Sequence, residues 1–147
     1  VTLTAAAPEG LDIVVSTMAS DAHTWNLVFL QLLLEEHGHR VTNLGACVPD
    51  ESIVEQCRRT RPDLIVLSSV NGHGALDGRR VIAQLRATPE LSTTPTVIGG
   101  KLGITDEADA QAGRTLREAG FDEVFTGIGA IERFTAYLAE RAGMVAA

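Results

Sequence analysis

Five short apolar runs, each followed by a segment of helical periodicity, limit what this 147-residue chain can fold into more than any other feature. The runs are LDIVVSTM over 11–18, a shorter one over 40–44, LIVLSSV over 64–70, TVIGG over 96–100 and EVF over 123–125. The strongest of them are rich in β-branched residues, which suits strands buried on both faces. Over 25–37, Leu27, Leu30, Leu33 and Leu34 recur at helical spacing, and Gly38 stands where a left-handed cap would end the helix. Further helices are predicted over 50–60, 76–87, 107–119 and 131–141. Parallel strands need crossovers, and those crossovers are right-handed. The expected fold is therefore α/β, a doubly wound five-stranded parallel sheet with helices on both faces. The length fits one domain, placed over 11–147. Residues 1–10 read as a flexible lead-in, because they lack the basic start and apolar core of a signal segment.

In such sheets a ligand sits beyond the carboxyl ends of the strands, near the point where strand order reverses. Polar and glycine residues collect there. They are Ser20, Asp21, Ala22, His23 and Thr24 after the first strand, 68–74 (SSVNGHG) after the third, and Gly99, Gly100, Lys101, Leu102 and Gly103 after the fourth. Neither GxGxxG after the first strand nor GxxxxGK[ST] occurs, so dinucleotide and P-loop sites lose their usual signatures. A phosphoacceptor domain of this alternation would end its third strand on aspartate, where Ser68 and Ser69 stand. A net charge of −7 and a pI near 5.0 disfavour nucleic acid and anionic membranes as partners. The longest apolar stretch, 27–34, is interrupted by Gln31 and falls far short of the roughly 20 residues of a membrane span. Cys47 and Cys57 show neither CxxC nor zinc-site spacing and read as small buried apolar residues of a reduced, cytoplasmic protein.

The Asp21-x-His23 triplet has two readings. It is an N-capping turn, or it is a carboxylate that fixes the tautomer of a metal-binding imidazole. One histidine does not build a zinc site, which takes three or four protein ligands, but a lone axial ligand suffices when a macrocycle fills the other positions. Gly99 and Gly100 are a tight turn or a close approach to a ligand. His37 and His39 flank Gly38 at a helix end, and Arg58, Arg59 and Arg61 close another helix; the helix dipole accounts for both groups. His73 is a solvated loop residue or a contact to a cofactor or partner.

Asp21, His23, the run of Ser68, Ser69 and Val70, and the pair Gly99 and Gly100 together resemble the DxHxxG, SxL and GG signature of base-off, histidine-on cobalamin-binding domains. Within that group SDAH, LGACVPDE, SSVNGHGALDGRR and VIGGKLGI are most similar to the small subunits of glutamate mutases, with Gly72, Gly74 and Asp77 forming a similar GxGxxD run. The resemblance implies a flavodoxin-like cobalamin domain in which His23 displaces the cofactor's dimethylbenzimidazole from cobalt and Asp21 orients it. It further implies that Ser20 to Thr24, Ser68, Ser69, Val70, Gly72 and Gly74 hold the cofactor. On the same basis Gly99, Gly100, Lys101, Leu102, Gly103, Ile104 and Thr105 line the channel for the freed nucleotide tail. Asn26 stands where the motif has glycine, Val70 where it has leucine, and Phe125 and Gly127 where small subunits tend to show tyrosine and proline.

By the same resemblance the chain acts with a larger catalytic subunit, in a heterotetramer. It carries adenosylcobalamin and interconverts L-glutamate and 3-methylaspartate, with the substrate held by the partner and no catalytic residue of its own. The alternatives are a corrinoid carrier for methyl transfer, a cobalamin-sensing module and a receiver-like interaction domain. A carrier would add a helical cap ahead of the first strand, and a sensor would add an output domain.

Overall fold

The computed structural model describes residues 10–146; all of the expected lead-in except Gly10 lies outside the described residues. Strands and helices alternate as β1 (Asp12–Thr17), α1 (Trp25–Glu36), β2 (Arg40–Asn43), α2 (Asp50–Thr60), β3 (Leu64–Ser69), α3 (Gly74–Ala87), β4 (Thr96–Gly100), α4 (Asp106–Ala119), β5 (Glu123–Phe125) and α5 (Ala130–Ala146), with a 3-10 turn at Pro89–Leu91. Helix α3 begins at Gly74, earlier than periodicity predicts, since a glycine start gives no helical signal. A side chain there would lie 2.6 Å from Ser69 and Leu102, so glycine is what lets the helix start against the sheet. Helix α5 runs past the expected end because its last turns hold no proline to stop it.

All strand pairs are parallel, in the order β2-β1-β3-β4-β5. The order reverses between β1 and β3. Right-handed crossovers then put α1 and α5 on one face and α2, α3 and α4 on the other. The packing agrees: Leu27, Leu34, Phe134 and Leu138 share one core cluster, while Ile53, Cys57, Val81, Ile82, Leu85 and Leu116 share the second. Helix α1 ends as predicted, with Gly38 at φ +90°.

The glycine pair closing β4 is required by the sheet itself. Gly100 has φ +101°, and a Cβ there would fall 2.0 Å from the Ser69 carbonyl oxygen. A Cβ on Gly99 would stand 2.9 Å from the Phe125 carbonyl oxygen. Gly100→Ala is expected to destabilise the fold by about 3 kcal/mol or more, from left-handed strain plus a clash with backbone that does not swing away. The shift in a urea unfolding midpoint measures this, and an unchanged midpoint would refute it.

Two sequence expectations need correction. Cys57 is buried, and burial pushes its thiol up to about 12, but Cys47 is exposed, in a turn at φ 54° rather than in a core position. His37 does sit on the helix end, its Nδ1 2.8 Å from the Leu33 carbonyl. His39 serves otherwise: it is buried, and its Nδ1 accepts from Leu11 N–H at 3.0 Å, so it is a neutral joint between β1 and the end of α1. Burial first, then the neighbouring His37 and Arg40, hold its pKa below the usual histidine range.

Candidate functional site

The loops after β1 and β3 meet at the reversal point and are bonded into one unit. Asp21 is its hub, 1% exposed. One carboxylate oxygen, Oδ1, accepts from the His23 backbone N–H at 3.1 Å and lies 2.7 Å from His23 Nδ1. The other, Oδ2, accepts from the backbone N–H groups of Val70 at 2.7 Å and Asn71 at 3.3 Å. Burial works to raise the Asp21 pKa, but the Val70 amide, the His23 ring and amide, and the Asn71 amide together outweigh it and hold the carboxyl below its usual range. Of the two sequence readings the structure holds the carboxylate–imidazole pair: Asp21 closes a local turn through His23 N–H but does not cap α1, whose N-cap position is Thr24, without a side-chain cap bond. With Nδ1 engaged, the ring keeps Nε2 as its free nitrogen, and the side chain is 54% exposed.

A second tie holds the same loop. Asp77 accepts from the Ser20 hydroxyl and, at 3.0 Å, from Arg80, which also bonds Asp50. Asn71 Nδ2 donates to the Ser20 carbonyl at 2.8 Å. Asp77, expected from the sequence at the ligand edge, is buried and spent on positioning Ser20. Burial pushes its pKa up, and the Ser20 and Arg80 bonds more than reverse that.

Beside this unit lies an open cleft of about 450 Å³, floored by β3 and β4 and walled by α1 and α5. Five strands on a face covered by only two helices leave a gap where α1 and α5 part. Ser68, Ser69, Val70, Gly99, Gly100 and Lys101, all named from the sequence, line it. Phe29, Leu30, Ile131 and Phe134 supply most of its apolar wall and were missed, because helical spacing marks them only as apolar. Phe125 and Gly127 also line it, and Phe125 stacks edge-on to Phe134 at 5.4 Å.

The rest of the predicted channel does not face this cleft. Leu102 is buried in the core under α3 and α4, and its amide and that of Gly103 donate to Asp109 Oδ1. Gly103 packs against Ala108, Thr105 caps α4 by accepting from Ala108 N–H at 3.0 Å, and Ile104 is exposed. These residues end β4 and start a helix on the opposite face, so they shape the edge without lining the cleft. Ser69 is likewise a latch, donating to the Lys101 carbonyl at 2.7 Å. Ala22, Thr24, Gly72 and Gly74 shape the two loops; of these only Gly72, at φ +84°, is held in a left-handed turn.

The donor set decides what metal chemistry fits. Among the described residues no group of three or more His, Cys, Asp or Glu gathers to hold a bare ion. A single oriented imidazole, tied through Asp21 to Val70 on the lining of an apolar cleft, fits a metal already held by a macrocycle. One polar demand beside the cleft is unmet. Asn26 Nδ2 donates to Ser68 Oγ, while Asn26 Oδ1 is buried without a partner. A bare buried acceptor costs about 1–3 kcal/mol.

All four groups around Asp21 present N–H, so an acceptor-only carboxylate matches them and a carboxamide sets N–H against N–H. Asp21→Asn is expected to weaken binding of a metal group at His23 by roughly 10–100-fold, read by equilibrium dialysis with a cobalamin. An unaltered dissociation constant would leave Asp21 as a turn cap alone.

Known proteins are similar to this chain. The profile of the B12 binding domain matches residues 11–126. The glutamate mutase sigma subunit of Fusobacterium nucleatum is 30% identical over 113 residues, which cover 77% of this chain and 82% of that protein. That of Halobacterium salinarum is 32% identical over 114 residues, covering 78% and 75%. Among solved structures, a cobalamin-binding protein from Desulfitobacterium hafniense superposes with a TM-score of 0.69 at 22% identity, over 88% of this chain and 59% of that one. The receiver domain of a Pseudomonas aeruginosa sensor histidine kinase reaches 0.64 at 19% identity, over 91% and 98%. At such identities the solved structures attest the fold alone.

Proposed function

The chain belongs to the B12-binding domain family, alongside the glutamate mutase sigma subunits, and from that premise we propose that it is the cobalamin-binding small subunit of glutamate mutase. The observation that carries the reading is the buried Asp21, which lies 2.7 Å from His23 Nδ1, leaves Nε2 free, and through its other oxygen bonds the amide of Val70, a residue that lines the apolar cleft. When bound, adenosylcobalamin supplies a carbon-centred radical from its cobalt–carbon bond for the interconversion of L-glutamate and 3-methylaspartate.

This chain's residues do the holding. His23 would hold the cobalt through Nε2, and Asp21 would fix its ring plane and tautomer. Ser20 and Asn71 keep the two loops clasped beneath it. Phe29, Ile131 and Phe134 exclude water from the nucleotide tail, Ser68 offers its hydroxyl to the base, and Lys101, the chain's only lysine, lines the same cleft.

The substrate is held by a larger catalytic subunit, in a heterotetramer. Large apolar side chains at the carboxyl edge support a covered surface: Trp25 is 83% exposed, Leu76 67%, Ile104 84% and Ile128 fully. They follow β1, β3, β4 and β5 in turn and so surround the seat of the cofactor. No helix among the described residues is long and apolar enough to cross a membrane.

The test is the electron spin resonance spectrum of cob(II)alamin bound to protein labelled with nitrogen-15 histidine. The expected result is a hyperfine pattern that changes with the label. A pattern indifferent to the label, with the benzimidazole still on cobalt, would overturn the reading.

A further inference from the structure

We infer that Arg80 is a positioning residue for the cobalt ligand: through Asp77 and Ser20 it keeps the His23 loop in the form that accepts a corrinoid. The inference rests on the cobalamin-binding reading and concerns a residue that bonds neither Asp21 nor His23.

The loop that carries His23 has little packing to hold it. Of residues 19–24 only Asp21 is buried. A segment with so little burial opens at small cost unless hydrogen bonds fix it. Ser20 begins that segment, and two side chains hold it: its hydroxyl donates to Asp77 Oδ2, and its carbonyl accepts from Asn71 Nδ2 at 2.8 Å. Asn71 stands in the loop after β3, at the same open edge, whereas Asp77 belongs to α3. Asp77 is therefore what ties Ser20 to a helix.

Asp77 keeps that role only with a cation beside it. It is buried, and so is Asp50, the first residue of α2. Arg80 spans the two: Nη2 donates to Asp77 Oδ1 at 3.0 Å and to Asp50 Oδ1 at 3.2 Å, and Nε donates to Asp50 Oδ2. Gln84 adds a neutral bond to Asp50 at 3.1 Å. Among the described residues Arg80 is the one cation paired with either carboxylate. Without it two carboxylates stay buried and uncompensated, so one takes a proton or turns out to water. When Asp77 does either, it stops being a fixed acceptor and Ser20 is released.

The experiment is equilibrium dialysis of the full chain against adenosylcobalamin for the wild type, Arg80→Met, Ser20→Ala and the double variant. Each single variant is expected to bind roughly 5–10-fold more weakly, since apparent affinity falls with the fraction of molecules whose loop is competent. The double variant is expected to lose no more than the weaker-binding single variant, because both changes cut one chain of bonds. Stopped-flow mixing is expected to place the loss in the association rate, with dissociation and the histidine-ligated spectrum of the bound corrinoid unchanged. Urea unfolding checks that Arg80→Met is folded. If it is not, Asp50→Asn combined with Arg80→Met, which removes a buried carboxylate along with its cation, takes its place. Wild-type affinity in a folded variant, losses that add in the double variant, or a loss confined to dissociation would overturn the inference while leaving the function. A wild type that binds no cobalamin would instead remove the cobalamin reading itself.

Discussion

His23→Ala is expected to lower adenosylcobalamin affinity by at least about 100-fold, the upper end of what losing a ligand's supporting partner costs, and to leave no protein nitrogen on cobalt. The other histidines do not replace it. His37 is held at the end of α1, and His39 is buried against Leu11. His73 lies in the loop after β3, where its backbone N–H bonds Asn71 Oδ1, and no carboxylate orients its ring. His73→Ala is therefore the matched control, expected to retain histidine ligation. The Asp21 pKa is depressed, so what it adds to stability is present above the ordinary carboxylate value and is lost as pH falls through the lower folded value. Wild-type affinity in His23→Ala, read by dialysis and by the spectrum of the bound corrinoid, would refute the assignment.

Turnover is expected to be absent with this chain and adenosylcobalamin alone, and to appear when a catalytic subunit is added. By the proposed function the cleft would take the nucleotide tail, and a corrin held by His23 would lie at the open carboxyl edge. Radical chemistry there needs a surface that excludes water. A dicarboxylate asks for two cations, and among the described residues Lys101 is the one cation that lines the cleft. Arg80 is occupied by Asp50 and Asp77, and Asp77 is itself buried. The apolar ring of Trp25, Leu76, Ile104 and Ile128 offers contact area and no charge. Replacing Ile128 with glutamate should weaken activation by the partner while leaving corrinoid binding intact. The check is glutamate-to-methylaspartate conversion with and without the second polypeptide. Full conversion without it would refute the two-component reading.

The sequence by itself determined the alternation of elements and the parallel sheet, and it offered the pairing of Asp21 with His23 as one of two readings. Each is a short-range property: strand character is read over a few residues, and a carboxylate two positions before a histidine is within reach of it. Tertiary structure alone decided which loop residues serve the cleft. Asn26 meets Ser68 across 42 positions, Asp21 meets Val70 across 49, and Ser20 meets Asp77 across 57. Those contacts exist because β3 pairs beside β1 in one register, and local periodicity carries no record of which strand lies next to which. The same limit hid the walls of the cleft. Phe29 and Phe134, 105 positions apart, read as ordinary apolar positions of two helices, and only the packed sheet shows that α1 and α5 stand far enough apart to leave a binding space between them. Leu102 and Thr105 fell to the opposite face for the same physical reason: the chain leaving β4 turns toward α4, and the side on which it turns is set by the handedness of the crossover rather than by the residues that make it.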